Sequence, residues 1–222
     1  KAVRAEFPPS APLRPDDDAP DYRPDRQETS MTTRLQSGDA LLIVDVQNDF
    51  LPGGQLAVTD GDAVIAPLNR WIERFQAAGL PIFATRDWHP AAHCSFIAQG
   101  GPWPNHCVAN TDGAHFAPAL RLPENAKVIS KATTVEVDAY SGFGGTDLSD
   151  QLQHTGSRRL FIGGLATDYC VLNTVLDACR LGYNVVLLSE AIRAVNVQPG
   201  DGARAIAEMQ AAGATLLEET PE

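Results

Sequence analysis

The chain predicts a three-layer α/β/α domain built on a central, mainly parallel six-stranded sheet. Three observations point to it. Short apolar runs alternate with helix-like segments from Ala40 onward, the runs are continuous rather than alternating, and glycines stand where the helices between them should stop. Unbroken hydrophobicity is what a strand covered on both faces requires. A chain of 222 residues, 44% hydrophobic, suits one such domain with a substantial core.

Residues 1–36 read as a Pro/Asp-rich N-terminal arm. Six of the 16 prolines fall within the first 24 positions, beside the acidic run Asp16-Asp17-Asp18. Such composition buries too little apolar surface to offset the entropy of ordering. Met31 is a candidate natural start, and the arm is expected to lie against its own body or a neighbouring subunit. Residues 37–222 carry the domain.

Its six strands are expected at 40–45, 80–85, 126–130, 159–163, 184–189 and 214–217. Between them, Val64, Leu68, Ile72 and Phe75 recur at helical spacing before Gly79, and Pro67 is acceptable there only close to the helix start. Val171, Val175 and Ala178 repeat the pattern before Gly182, and Gly213 marks a further stop, each glycine suiting a left-handed C-cap. Segment 86–125 breaks the rhythm and is rich in Pro, Gly, His and Asn. Long insertions of this kind are usually functional, and this one holds Asp87, His89, His93 and His106.

Composition excludes several classes. A formal net charge of −11 with no basic run argues against nucleic acid, whose phosphates require clustered Lys and Arg. The longest apolar runs are strand-length, short of the roughly 20 residues that cross a bilayer, so no membrane partner is expected. The first residues lack a secretory apolar core, and a cytoplasmic location is expected. The four cysteines are expected as free thiols, with Cys179 a core hydrophobe.

In an open parallel sheet, ligands bind outside the carboxyl ends of the strands. Asp45 ends the first strand, Asp87 follows the second, Lys131 ends the third, and Cys170 opens the helix after the fourth. Each has an ordinary reading alone: a turn-capping Asp, a solvated Lys, a core Cys. Together they suggest a thiol nucleophile. Its thiolate must be favoured by its surroundings or produced by a base. Thr167 or Asp168 could cap the helix and place Cys170 in its positive first turn, with Lys131 adding a cation. Asp45 would accept the thiol proton and return it to a departing amine. Backbone N–H groups at Ala166 and Cys170 would hold an oxyanion, the glycines of Gly163-Gly164-Leu165-Ala166 allowing close approach.

Asp87-x-His89 with the distant His106 offers three O/N ligands, a catalytic count that leaves coordination positions open. His93 is a further candidate. An alternative groups His89, His93, Cys94, His106 and Cys107 as a structural zinc site, but the spacing fits no common finger.

These residues resemble the nicotinamidase/pyrazinamidase branch of the isochorismatase-like cysteine hydrolases, from about Ala40 to Leu217. The resemblance rests on Asp45-Val-Gln-Asn-Asp-Phe50 with Pro52-Gly53-Gly54, Asp87-Trp-His-Pro90 with His93-Cys-Ser-Phe96, Trp103-Pro-Asn-His-Cys107, Lys131, Val137-Asp-Ala-Tyr-Ser-Gly-Phe143, and Gly163-Gly-Leu-Ala-Thr-Asp-Tyr-Cys170. It implies an Asp45, Lys131, Cys170 triad that hydrolyses nicotinamide, and pyrazinamide-like analogues, to the acid and ammonia through a thioester. It implies one divalent metal on Asp87, His89 and His106, zinc first, with iron and manganese as alternatives. It further implies a ring pocket of Phe50, Trp103, Tyr140 and Leu165, and a cis peptide at Leu165–Ala166.

The partner so implied is a small-molecule amide, with a homo-oligomer left open. One alternative is a metal-independent isochorismatase-like or carbamoyl-amide hydrolase, against which Asp87, His89 and His106 argue. Another is a catalytically silent metal-binding or interaction protein on the same fold.

Overall fold

A computed structural model describes residues 34–218. The expected N-terminal arm therefore lies almost wholly outside the described residues. Six strands form one sheet: β1 (Asp39–Val44), β2 (Ile82–Asp87), β3 (Lys127–Lys131), β4 (Arg159–Leu165), β5 (Asn184–Arg193) and β6 (Thr215–Leu217). Their spatial order is β3-β2-β1-β4-β5-β6. Every pairing is parallel, so the sheet is wholly rather than mainly so. All six expected strands are present, with ends displaced by a few residues.

Among the described residues, four α-helices cover the two faces: α1 (Ile65–Ala77), α2 (Leu148–His154), α3 (Leu172–Arg180) and α4 (Asp201–Ala211). Alternate side chains of the buried strands serve opposite layers. Leu41 and Ile43 of β1 pack with Leu68, Trp71, Ile72 and Phe75 of α1. Ala40, Leu42 and Val44 pack on the other face with Leu148 and Leu152 of α2, Val175 and Ala178 of α3, and Met209 of α4. Pro67 occupies the first turn of α1, where its missing N–H costs no helical bond. The sequence pattern missed α2 because seven residues with two buried leucines carry too little period to read.

Because β1 leads outward to β2 and β3, and β4 returns to its other side, the order reverses between β1 and β4. That is the switch point where doubly wound sheets open a ligand crevice. Gly164 (φ 130°) lies inside β4, where a Cβ would collide with the Val44 backbone, and a Cβ on Gly163 would come within 2.9 Å of that of Ala191. These glycines let β4 sit between β1 and β5. The expectation that they let substrate approach is corrected accordingly. No described helix is long and apolar enough to cross a membrane.

Candidate active site

Asp45 follows β1 in a left-handed conformation (φ 51°), which Asp tolerates better than most residues with a Cβ. The turn aims its fully buried carboxylate along the crevice. Its Oδ1 accepts a 2.6 Å hydrogen bond from Thr85 Oγ1, and its Oδ2 lies 3.0 Å from Nζ of Lys131. That ion pair lacks hydrogen-bond geometry, so Oδ2 is a buried acceptor with no hydrogen-bond donor of its own.

Lys131, at the end of β3, is 1% exposed and hence far from the solvated surface amine of its ordinary reading. Its ammonium donates to Asp87 Oδ1 and to the Ala139 carbonyl (3.0 Å), and stands 3.4 Å from Sγ of Cys170. Burial works against the charge, but Asp45 and Asp87 hold the ammonium well above the ordinary lysine range. Asp87 shows the converse: burial favours its acid form, yet Lys131 and His89 hold its carboxyl well below the usual range. Asp45 moves upward, because burial outweighs Lys131 and the neighbouring Asp87 adds to the rise.

Cys170 sits in a π-helical turn, Thr167–Val171, that leads into α3. The turn's N-cap is Ala166, with no side-chain cap. Asp168 instead turns its carboxylate to the backbone N–H groups of Val195 and Asn196, at 2.9 and 2.8 Å, so the expected Thr167 or Asp168 cap is corrected. Burial pushes the thiol well above its ordinary value, Lys131 pulls it back in part, and Asp45 and Asp87 raise it further. The resting sulfur is therefore a thiol that needs a base, and the Asp45 carboxylate is close at hand. A carboxylate oxygen from each of Asp45 and Asp87 and the Cys170 sulfur lie within 4.8 Å of one another.

Asp87, His89 and His106 likewise bring one donor atom each within 4.8 Å. His106 Nδ1 is engaged with the Pro104 carbonyl at 2.8 Å, and His89 Nδ1 faces that of Ala132 at 3.3 Å. The Nε2 atom of each ring remains for an ion, and carbonyl partners of this kind fix the tautomer that can ligate. Burial also lowers the His106 pKa, favouring the neutral ring a metal needs. One carboxylate and two imidazoles fit a divalent metal with open positions.

His93 is not part of this cluster. Its ring stacks on His89 at 4.2 Å, Nδ1 pairs with Ser95 Oγ, and Nε2 meets the Val137 carbonyl. With both nitrogens engaged, it supports His89 rather than adding a ligand. Among the described residues neither Cys94 nor Cys107 joins a metal-type donor cluster, which argues against the finger-like alternative.

Between thiol and imidazoles lies a small cavity of about 40 Å³. Phe50, Trp103, Tyr140 and Ala166 line it, together with Asp87, His106 and Cys170. Trp103 Nε1 donates to Tyr140 Oη at 3.0 Å, joining two loops across the mouth. Leu165 is corrected: it is fully buried in the core, and its neighbour Ala166, across the cis Leu165–Ala166 peptide, reaches the wall. Sequence reasoning missed Leu56, Val58, Tyr169 and Val195 in the lining. Tyr169 lay inside a recognised motif, whereas the other three carry no local signal. A wider depression at the opposite end of the sheet, around Gly79, Pro81 and Lys127, contains none of these groups.

A thiol held between a lysine and a carboxylate, at the switch point of a parallel sheet and beside a metal-type donor set, defines a cysteine-dependent amidohydrolase. The isochorismatase domain model matches residues 39–220, and the chain belongs to that family. The nicotinamidase of Escherichia coli (strain K12) is 44% identical over 198 residues, spanning 80% of this chain and 93% of the relative. The structure of the pyrazinamidase of Pyrococcus horikoshii in complex with zinc superposes with a TM-score of 0.79 at 48% identity, covering 82% of this chain and 99% of the other. That of PnC1 from L. infantum in complex with nicotinate gives 0.76 at 38%, covering 82% and 93%.

Proposed function

We propose that this protein is a nicotinamidase, hydrolysing nicotinamide and pyrazinamide-like analogues to the acid and ammonia. The observation that carries the reading is Lys131 Nζ lying 3.0 Å from Asp45 and 3.4 Å from Cys170, the Cys170 side chain lining an aromatic cavity.

In this mechanism the ring lies between Phe50, Trp103 and Tyr140, with its amide over Cys170. Asp45 Oδ2 takes the Cys170 proton as sulfur attacks the amide carbon, and the backbone N–H groups of Ala166 and Cys170 receive the oxyanion. Protonated Asp45 passes its proton to the departing nitrogen, the C–N bond breaks, and ammonia leaves a thioester. Asp45 then removes a proton from a water that attacks the same carbon. The C–S bond breaks and sulfur regains the proton from Asp45. Lys131 keeps Asp45 ionised between proton transfers and offsets the charge on sulfur.

Asp87, His89 and His106 hold the metal, zinc in this reading because imidazole and carboxylate donors suit it and a zinc-bound pyrazinamidase shares the fold. When bound, the ion supplies a Lewis-acid anchor for the pyridine nitrogen. The metal-type donor set of Asp87, His89 and His106 disfavours the metal-independent isochorismatase-like and carbamoyl-amide alternatives.

Ammonia release from nicotinamide, measured before and after chelation with Cys170→Ala as the blank, tests the proposal. Release that needs both metal and Cys170 supports it. No release from a zinc-loaded sample refutes it.

A further inference from the structure

The segment just after β1 carries two buried polar side chains that the mechanism does not use. Gln47 is fully buried, and its carboxamide makes three hydrogen bonds. Oε1 accepts from the Asp87 backbone N–H at 2.8 Å, while Nε2 donates to the Asp87 carbonyl at 2.8 Å and to the Ala114 carbonyl at 2.9 Å. The first two reproduce the two-bond pairing of a strand neighbour. They are needed because β1 turns away at Asp45 while β2 runs on to Asp87. Two residues on, Asp49 accepts from the Cys107 backbone N–H at 2.7 Å and from Gln55 N–H at 3.2 Å. Cys107 adjoins His106 and has a left-handed backbone (φ 47°). Phe50, the next residue, packs its ring 5.7 Å from that of His106.

We infer that Gln47 and Asp49 are positioning residues for the metal donors, Gln47 fixing the backbone of Asp87 and Asp49 the backbone beside His106. The inference rests on the metal reading above. Asp87 ends β2 and His106 lies in the long segment that follows, and this one short stretch after β1 holds both in register. Outer partners of metal ligands commonly set affinity by about 10- to 100-fold.

A comparable clasp elsewhere provides a control. Asn69 donates to the Ala119 carbonyl at 2.9 Å and accepts from Arg121 N–H at 2.8 Å, so it ties down the same insertion without touching either donor. The test uses Gln47→Met, which keeps length but removes the bonds, Asp49→Asn, which removes the charge, and Asn69→Leu. Zinc affinity is read on the full-length protein by competition with a chromogenic chelator, alongside the melting temperature of the chelated protein.

Gln47→Met is expected to weaken zinc by about 10-fold or more, with Asn69→Leu within twofold of wild type although both melt earlier. Zinc binding by Gln47→Met within twofold of wild type overturns the inference, as does an equal loss in Asn69→Leu. Should Gln47→Met fail to fold, Asp49→Asn decides by the same criterion. Wild-type protein that takes up no zinc fails the functional reading itself, and this inference with it.

Discussion

Replacing Lys131 by Met removes the positive charge that pairs with two buried carboxylates. Asp45 and Asp87 each bring an oxygen within 4.8 Å of the Cys170 sulfur and of each other. At an effective dielectric constant of about 20, two unit charges at that separation repel by ~3.5 kcal/mol. Removing one partner of a buried ion pair typically costs about 3–5 kcal/mol, consistent with that figure. For a domain of this size the melting temperature should fall by roughly 6–20 °C. Lys131→Met relieves part of the repulsion by protonating Asp45, whose carboxyl burial already pushes up. A carboxyl whose folded pKa lies above its unfolded value stabilises at low pH, and that stability is lost as pH rises through the folded value. Chelated Lys131→Met should therefore melt higher at pH 5 than at pH 8. With Asp45 protonated, the zinc-loaded variant should also release no measurable ammonia even where fully folded. Calorimetry at the two pH values and an ammonia assay test this. A melting temperature within about 2 °C of wild type, or activity above roughly a tenth of it, would refute the reasoning.

Cys170→Ala should abolish ammonia release while keeping zinc and shifting the melting temperature by no more than about 4 °C, roughly the effect of 1 kcal/mol; His89→Ala should lose zinc and raise KM, and chelator competition separates the two. Trp103→Phe deletes the bond to Tyr140 Oη, and steady-state kinetics should show KM raised by about 2- to 10-fold with kcat less affected, the worth of one hydrogen bond. Because burial holds Cys170 as a thiol, iodoacetamide should modify it slowly at neutral pH, as followed by mass spectrometry. Rapid alkylation at pH 7 would contradict that electrostatic picture.

The sheet was legible because its strands are buried on both faces and so read as unbroken apolar runs. Asp45, Asp87 and Lys131 were legible as charges placed where those runs end, since a charge beside a core strand needs a reason. Other features depend on partners distant in sequence. Asp168 resembles a helix cap locally, yet its carboxylate is claimed by Val195 and Asn196. His93 resembles a ligand, yet Ser95 and Val137 engage both its nitrogens. Gly163 and Gly164 look like a substrate loop, but the space they spare is needed by Ala191 and Val44 within the sheet. Leu165 lay one residue from the cavity wall, and only the backbone path decides which neighbour faces in.

The central pairing of β1 with β4 joins segments that the chain separates by β2, α1, β3 and α2. At its amino end a two-pronged bond from Arg159 to Asp39 (2.8 and 2.6 Å) spans 120 positions. At its carboxyl end the same pairing brings Asp45 to Cys170. Closing so long a loop carries an entropic cost before its contacts form, and non-local parallel pairing is intrinsically slow. Neither half of the chain can therefore assemble base and thiol alone. On refolding, helical signal should return early, with ammonia release arriving last, as the sheet zips shut at its middle.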